Sequence, residues 1–202
     1  MLFMKHYFVA LLAGAVALAA TAADVQRKTQ RIRGTITAFG GNALEVRSRE
    51  GRNLLIELME IASVATAKAI TLADLKQGDY VGTTTMKRDD GTLVAIEVHT
   101  IPRTAREGHF PWDLQPGSMM TNASIGSVVQ SADGQELTLV YKDGSQKILV
   151  PPGTPIVTTV PADRSFLKRG EYVWLNADVG ADGRLSTSGR IQVSHGGVRP
   201  PQ

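Results

Sequence analysis

The chain has 202 residues, of which 43% are hydrophobic and 20% are charged, and this is the composition of an ordinary globular protein. It contains no cysteine, which excludes disulfides, thiolate metal sites, iron–sulfur clusters and cysteine nucleophiles. The formal net charge of +3 is too small to favour binding to nucleic acid or to an anionic membrane.

Residues 1–23 have the pattern of a secretory signal peptide. A short segment with Lys5 precedes an apolar run over residues 7–20, and small residues lead into a polar stretch that begins at Asp24. A membrane anchor needs about 20 apolar residues, which is more than this run supplies. We expect cleavage near Ala22 or Ala23, and a soluble mature protein that is periplasmic or secreted and not bound to a membrane.

The sequence after the signal peptide contains an internal repeat. Residues 75–81 (LKQGDYV) recur as residues 167–173 (LKRGEYV), at an offset of 92 positions (170 − 78). At the same offset the Asp-Gly pair at 90–91 matches the pair at 182–183, and Gly34 is matched with Gly126. The two copies fall at about 31–101 and 124–193.

Within each copy the apolar residues alternate with polar ones, and this period of two predicts β-strands. In the first copy three such runs, separated by Gly-containing turns, predict a three-stranded meander. One helical turn is expected just before Gly78 and another just before Gly170, each followed by a hairpin that turns at an Asp-Gly pair. Residues 61–70 have no clear period and stay unassigned.

Five strands in about 70 residues, with a short helical turn between the third and the fourth, indicate an OB-like barrel. Closure of the barrel removes the unpaired strand edges that a small sheet would otherwise expose. We therefore predict an all-β chain with two tandem five-stranded barrels, at residues 24–102 and 124–202. Residues 103–123 are predicted to be a linker or an ordered joint between them.

The pattern DLKxGDxV at residues 74–81, followed by DGxL at 90–93, resembles a family of bacterial exported domains of unknown function. The resemblance extends to both copies. It implies a small β-barrel outside the cytoplasm, and it implies no particular activity.

The sequence carries none of the common catalytic motifs. It has no GxSxG nucleophile elbow, no HExxH zinc motif and no glycine-rich phosphate-binding loop, so we predict that the protein is not an enzyme and needs no cofactor. The Asp-Gly pairs that begin at 90, 133, 143 and 182 lack the spacing of a calcium loop, and they are interpreted as hairpin turns.

The segment 103–123 contains His109, Trp112, Met119 and Met120. Imidazole and thioether groups suit Cu(I), and an indole face can cap a cation. These residue types are similar to the His, Trp and two Met of small periplasmic copper carriers built on the same kind of barrel, which implies copper as an alternative ligand. The other interpretation is that Trp112 and its apolar neighbours form a plug between the barrels.

Three functions stay open from the sequence. The first is an exported, non-enzymatic binding or structural module with a protein, saccharide or metal partner in the cell envelope. The second is a copper-binding protein that uses the His/Trp/Met segment. The third is a pair of barrels that binds an oligosaccharide or a peptide through aromatic residues on the predicted fourth strands, namely Tyr80, Tyr172 and Trp174.

Overall fold

The computed structural model describes residues 28–201, so the predicted signal peptide lies outside the described residues. Within this range the chain is all-β, with fourteen strands and two short 3₁₀ turns. The strands are β1 (Thr29–Gly40), β2 (Ala43–Ser48), β3 (Asn53–Leu58), β4 (Ser63–Ala69), β5 (Tyr80–Lys87), β6 (Leu93–Thr100), β7 (Gly108–Pro111), β8 (Met119–Ser131), β9 (Gly134–Tyr141), β10 (Gly144–Val150), β11 (Ile156–Ala162), β12 (Tyr172–Val179), β13 (Leu185–Thr187) and β14 (Arg190–Val193).

The strands close into two rings of five. Ring 1 runs β1-β2-β3-β13-β12 and returns to β1, and its one parallel pairing is between β3 and β13. Ring 2 runs β5-β6-β10-β9-β8 and returns to β5, with its parallel pairing between β6 and β10. The expectation of a closed five-stranded β-barrel is therefore confirmed at the level of strand pairing.

Each ring contains strands from both halves of the chain, whereas the prediction was one barrel per repeat copy. Ring 1 takes three strands from the N-terminal half of the chain and two from the C-terminal half, and ring 2 does the reverse. The predicted barrels at 24–102 and 124–202 were therefore wrong in their strand content, because the last strands of each half cross over to the other. Alternating burial is the same in either arrangement, so the pattern alone does not distinguish them.

Each ring encloses its own core. The core of ring 1 contains buried aliphatic side chains from both halves, such as Ile36 and Leu44 from the first and Leu175 and Ile191 from the second. The core of ring 2 is built in the same way, with Val81 and Val98 facing strands β8–β10. Because each core needs both halves, neither half buries its apolar face by itself.

Strands β4 and β11 form the junction between the rings. They pair antiparallel to each other, with Ala67 opposite Thr159, two positions that are 92 residues apart. Strand β14 runs parallel to β4, and β6 runs parallel to β11. The two halves therefore meet about an approximate two-fold axis that passes between β4 and β11.

The 3₁₀ turns occupy Leu72–Asp74 and Arg164–Phe166. Each follows the fourth strand of its half instead of the third, since the unassigned residues 61–70 contain β4 and the C-terminal half contains the matching β11. Gly78 then adopts φ 87° and donates its N–H to the carbonyl of Ile125, at 2.8 Å, in the other half. A left-handed glycine at this point directs the chain into the strand that crosses over.

The strand register corrects one match within the repeat. Gly34 in β1 lies opposite Val173, whereas the residue opposite Val81 is Ala123. Since Val81 and Val173 correspond at the offset of 92, the structural counterpart of Gly34 is Ala123 and not Gly126.

The segment 103–123 is not a linker between two barrels. Strand β7 pairs antiparallel with the first residues of β8, and β8 itself belongs to ring 2. The segment therefore forms a hairpin whose second strand is part of the barrel wall, and residues 112–118 form its tip. We call these residues the hairpin tip.

Candidate functional site

A cavity of about 220 Å³ lies between the outer faces of the two rings. Strands β6 and β8 supply His99 and Asn122 from ring 2, while β12 and β14 supply Trp174 and Gln192. On β12 the neighbours Val173 and Leu175 are fully buried in the core of ring 1, so alternation directs Trp174 outward. We call this space the junction cavity.

His99 is held in place by a glycine on the neighbouring strand. It pairs with Gly82, where a Cβ atom would stand only 2.5 Å from Nε2 of His99. The histidine is 6% exposed, and its Nδ1 lies 3.6 Å from Oε1 of Glu97, which is too long for a hydrogen bond. Burial lowers the pKa of His99 to about 4, so the imidazole is neutral at pH 7.

Asn122 has a fixed orientation at the cavity wall. Its Nδ2 donates to the carbonyl oxygen of Arg106 at 2.7 Å, which assigns the amide nitrogen and leaves Oδ1 as the free end. The residue is 9% exposed, and within residues 28–201 its Oδ1 has no hydrogen-bond partner. The amide oxygen is therefore buried with its accepting capacity unused.

Trp174 and Gln192 form the opposite wall. They pair across β12 and β14, just as Gly82 and His99 pair across β5 and β6. Corresponding positions of the two halves therefore face each other with different side chains. In the described part of the chain neither Nε1 of Trp174 nor Oε1 of Gln192 has a hydrogen-bond partner.

Four residues that line the cavity each carry one buried polar atom without a hydrogen-bond partner in the described part of the chain. Two are amide oxygens that accept, one is an indole N–H that donates, and His99 Nδ1 does either according to its tautomer. Each of these atoms is covered by neighbouring protein atoms, so the residues and not the atoms themselves form the cavity wall.

The hairpin tip covers the cavity from the side of ring 2. Asp113 lies 2.9 Å from the guanidinium groups of both Arg31 and Arg33, and Arg49 donates to the carbonyl of Leu114 at 2.6 Å. Partial burial acts to raise the pKa of Asp113, but the hydrogen bonds from the two arginines outweigh it and lower that pKa. Three arginines of the N-terminal half therefore bind the hairpin tip and hold it against ring 1.

Trp112 lies beside these arginine contacts. It is half-buried, with the Arg31 guanidinium 4.2 Å from the centre of its ring, and it lines the junction cavity together with Trp174. Both tryptophans of the chain therefore meet at one site. The repeat alignment gave no indication of this, because Trp174 and Trp112 lie in unrelated segments.

The predicted metal-binding residues divide between two faces of β8. Met120 is 2% exposed and lines the junction cavity with Trp112. Met119 is its neighbour in the strand and points to the opposite face. His109 pairs with Thr121 on that opposite face, and its Nδ1 lies 2.8 Å from Oγ1 of the threonine.

Among residues 28–201, no group of three or more His, Asp or Glu side chains is placed to hold a metal ion. From the pairing of β7 with β8, the predicted set of four residues does not lie on one face, and the histidine that lines the junction cavity with Met120 and Trp112 is His99. Sequence reasoning missed His99 because a single histidine in an alternating strand carries no motif.

The aromatic residues predicted to form one binding face open onto different cavities. Tyr172 and Trp174 both lie on the outer face of β12. Tyr172 lines a larger groove of about 740 Å³ and lies beside Arg199, whereas Trp174 lines the junction cavity. Tyr80, on β5, donates its hydroxyl to the carbonyl of Ala105 at 3.3 Å.

In comparisons with known proteins, the chain matches no family model, no curated protein and no solved structure. The helices in the described range have three residues each, so none there is long enough to cross a membrane.

The buried His99 predicts an acid-dependent loss of stability. An unfolded histidine has a pKa of about 6.5, so between that value and about 4 the folded protein binds fewer protons than the unfolded chain. The free energy of unfolding should therefore fall as the pH drops from 6.5 towards 4, by about 2 to 3 kcal/mol in total. Urea unfolding of the wild type and of His99→Gln at pH 7 and pH 4.5 measures this, and parallel losses in the two proteins would contradict it.

Proposed function

We propose that the protein is an exported, non-enzymatic binding module that holds a small polar ligand in the junction cavity. The observation that carries this proposal is the lining of the cavity, in which the polar residues His99, Asn122 and Gln192 lie together with both tryptophans of the chain.

The proposal includes two OB-like barrels. Each ring is a closed barrel of five strands, of which three are consecutive in the chain, namely β1–β3 in ring 1 and β8–β10 in ring 2. Export rests on the signal-peptide pattern of residues 1–23. Mass spectrometry of the mature N-terminus tests it: a start near Ala23 supports export, and an intact Met1 in the membrane fraction contradicts it.

The binding proposal is tested by thermal unfolding with small solutes of zero net charge, namely glycerol, L-alanine, alanylalanine and D-glucose. A ligand that binds only the folded state raises the unfolding midpoint, and the shift grows with the logarithm of its concentration once that concentration exceeds its Kd. We expect at least one solute to raise the midpoint of the wild type but not that of Gln192→Leu, which removes a polar side chain from the cavity wall. Equal effects on both proteins, or no effect of any solute, would contradict binding in this cavity.

Copper is the second candidate ligand, now with a different histidine. Neutral His99, Met120 and Trp112 line the junction cavity together, and Cu(I) is bound by neutral imidazole and thioether groups. Met119 lies on the other face of β8, so it is not one of the proposed copper ligands.

Two methionine variants distinguish copper from packing. Leu conserves the volume of Met and removes the sulfur, so Met120→Leu should weaken Cu(I) binding at least tenfold if copper is the ligand. Met119→Leu is the matched control and should leave that affinity unchanged. Competition with a Cu(I) chelator gives both affinities, and the copper candidate is wrong if the two variants bind as tightly as the wild type.

The alternative role of Trp112 is mechanical, as a plug between the rings. In that role Trp112→Ala should reduce the free energy of unfolding by about 2 kcal/mol, less than for a fully buried tryptophan because the side chain is partly exposed. The loss should be the same with and without Cu(I). Chemical denaturation under both conditions measures it, and an unchanged midpoint would contradict the plug.

A further inference from the structure

Two consecutive prolines are buried between the rings. Proline is mostly exposed in folded proteins, yet Pro200 and Pro201 are both buried, while Arg199 before them is exposed. Pro200 lines the groove of about 740 Å³ together with Tyr172, and Pro201 lines the junction cavity together with Trp174. The two spaces therefore adjoin at the prolines, and we call them together the ring cleft.

An exposed glycine turn directs the prolines into the ring cleft. After β14, His195 and Val198 form an isolated bridge, with N–H···O distances of 3.1 and 3.0 Å. Between them Gly196 and Gly197 adopt φ 57° and 81°, which is typical of a two-residue hairpin turn. His195 and both glycines are exposed. Residues 199–201 can therefore leave the cleft by a change in this turn, without disturbing the pairing of β14.

Proline suits the ring cleft because it has no backbone N–H. At Trp174 both edges of β12 are paired, with β1 and with β14. At His99 both edges of β6 are paired, with β5 and with β11. Within the described range these two strands therefore offer no edge that could accept a further backbone N–H. A pair of prolines brings no such donor, so its burial leaves no N–H without a partner.

Three aromatic side chains surround the position of the prolines. Tyr172 lines the groove, and Trp112 and Trp174 line the cavity. Proline-rich segments favour the polyproline II conformation, and they dock into grooves lined by aromatic side chains because little of their conformational entropy is lost. The walls of the ring cleft therefore have the chemistry of a site for proline-rich peptides.

The arginine before the prolines has contacts of its own. The guanidinium carbon of Arg199 lies 4.8 Å from the centre of the Tyr172 ring, within the range of a cation–π interaction. Glu97, an acidic side chain that is 7% exposed, lines the same groove. Arg49 lines it as well, but its guanidinium donates to the carbonyl of Leu114 in the hairpin tip. An aromatic ring and an acidic group therefore favour a basic residue at this end of the ligand.

We propose that the ring cleft is a docking site for an Arg-Pro-Pro segment of a partner protein, and that residues 199–201 of this chain (RPP) occupy it in cis. The partner segment binds by displacing them. This inference goes beyond the small-ligand proposal and does not depend on it, because it concerns the space that the two prolines fill.

Calorimetric titration with a synthetic peptide tests the inference. The probe is acetyl-VRPPQ-amide, and the control peptide is acetyl-VRAAQ-amide, which keeps the arginine and lacks the prolines. In the wild type the tethered residues compete for the cleft at a high effective concentration. Pro200→Asp removes this competition, because burial of an added carboxylate in the groove that Glu97 also lines is unfavourable. We expect Pro200→Asp to bind the proline peptide at least tenfold more tightly than the wild type does.

Two further variants control for charge and for position. Pro152→Asp adds the same charge at an exposed proline that lines neither space of the ring cleft, and it should bind the proline peptide as weakly as the wild type does. Trp174→Leu, added to Pro200→Asp, removes an aromatic wall of the cleft. It should weaken binding of the proline peptide about tenfold.

The inference is overturned if Pro200→Asp binds the proline peptide no more tightly than the wild type, or binds the alanine peptide equally well. Thermal unfolding shows whether the variant is folded. If it does not unfold cooperatively, Pro200→Ser takes its place, since serine weakens the contact without a buried charge, and the same two outcomes decide. The solute experiment on the wild type is separate, so the small-ligand proposal and this inference can each fail alone.

Discussion

Cutting the chain between Thr104 and Ala105 is expected to leave neither half able to fold alone, while the two halves together assemble into the native structure. The cut lies in the loop between β6 and β7, outside both rings. Without the C-terminal half, ring 1 loses β12 and β13 and its core loses Ala177 and five larger buried side chains: Leu167, Val173, Leu175, Ile191 and Val193. The five larger side chains dominate the loss. At about 1.5 to 3 kcal/mol each, their loss matches the total stability of a typical domain, about 5 to 15 kcal/mol.

Co-expression of the two fragments measures this effect. The expected result is a one-to-one complex with the circular dichroism spectrum of the uncut protein, whereas each fragment expressed alone shows no cooperative thermal transition. An N-terminal fragment that unfolds cooperatively as a monomer would contradict the exchange of strands, because it would have closed a barrel from its own strands. The uncut chain under identical conditions is the control.

The sequence predicts most of the strands and not their partners. The alternation in residues 32–38 and the Asp-Gly turn at 90–91 led to strands and a hairpin close to those found. A strand that pairs with the other half keeps the same alternation and the same glycine turns as a strand that pairs within its own half. Local patterns are therefore equally consistent with two separate barrels and with two interleaved ones.

The exchange depends on the one segment that the pattern left unassigned. Strand β4 pairs with β11 and β14 along its two edges, and its residues 64–67 are buried consecutively, so both of its faces are covered. A strand buried on both faces loses the period of two. The missing alternation thus marked the junction between the rings, although it did not identify the strands with which β4 pairs.

The candidate site was predictable only in part. Trp112 and Met120 stood out by residue type, and the structure places both at the junction cavity. His99, Asn122 and Gln192 belong to ordinary alternating strands, and they become a site only where the outer faces of two rings meet. Such a meeting depends on long-range strand pairing, for which one sequence contains no direct signal.

Gly34 in β1 provides the last prediction, which tests whether Gly34 and Gly126 occupy equivalent positions in the two halves. A Cβ atom at Gly34 would lie 2.3 Å from the backbone oxygen of Arg47 and 2.7 Å from Cγ1 of Val46. Because backbone cannot move aside without breaking the pairing of β1 with β2, Gly34→Ala should cost about 3 kcal/mol or more in the free energy of unfolding. Urea denaturation measures the loss.

Gly126→Ala is the matched control, since the repeat pairs these two glycines. Its Cβ atom would lie 3.0 Å from Cγ2 of Val140, a half-exposed side chain that can turn away, so we expect a cost of about 1 kcal/mol or less. Equal losses in the two variants would mean that the glycines do occupy equivalent positions. Unequal losses are expected if the structural counterpart of Gly34 is Ala123 and not Gly126.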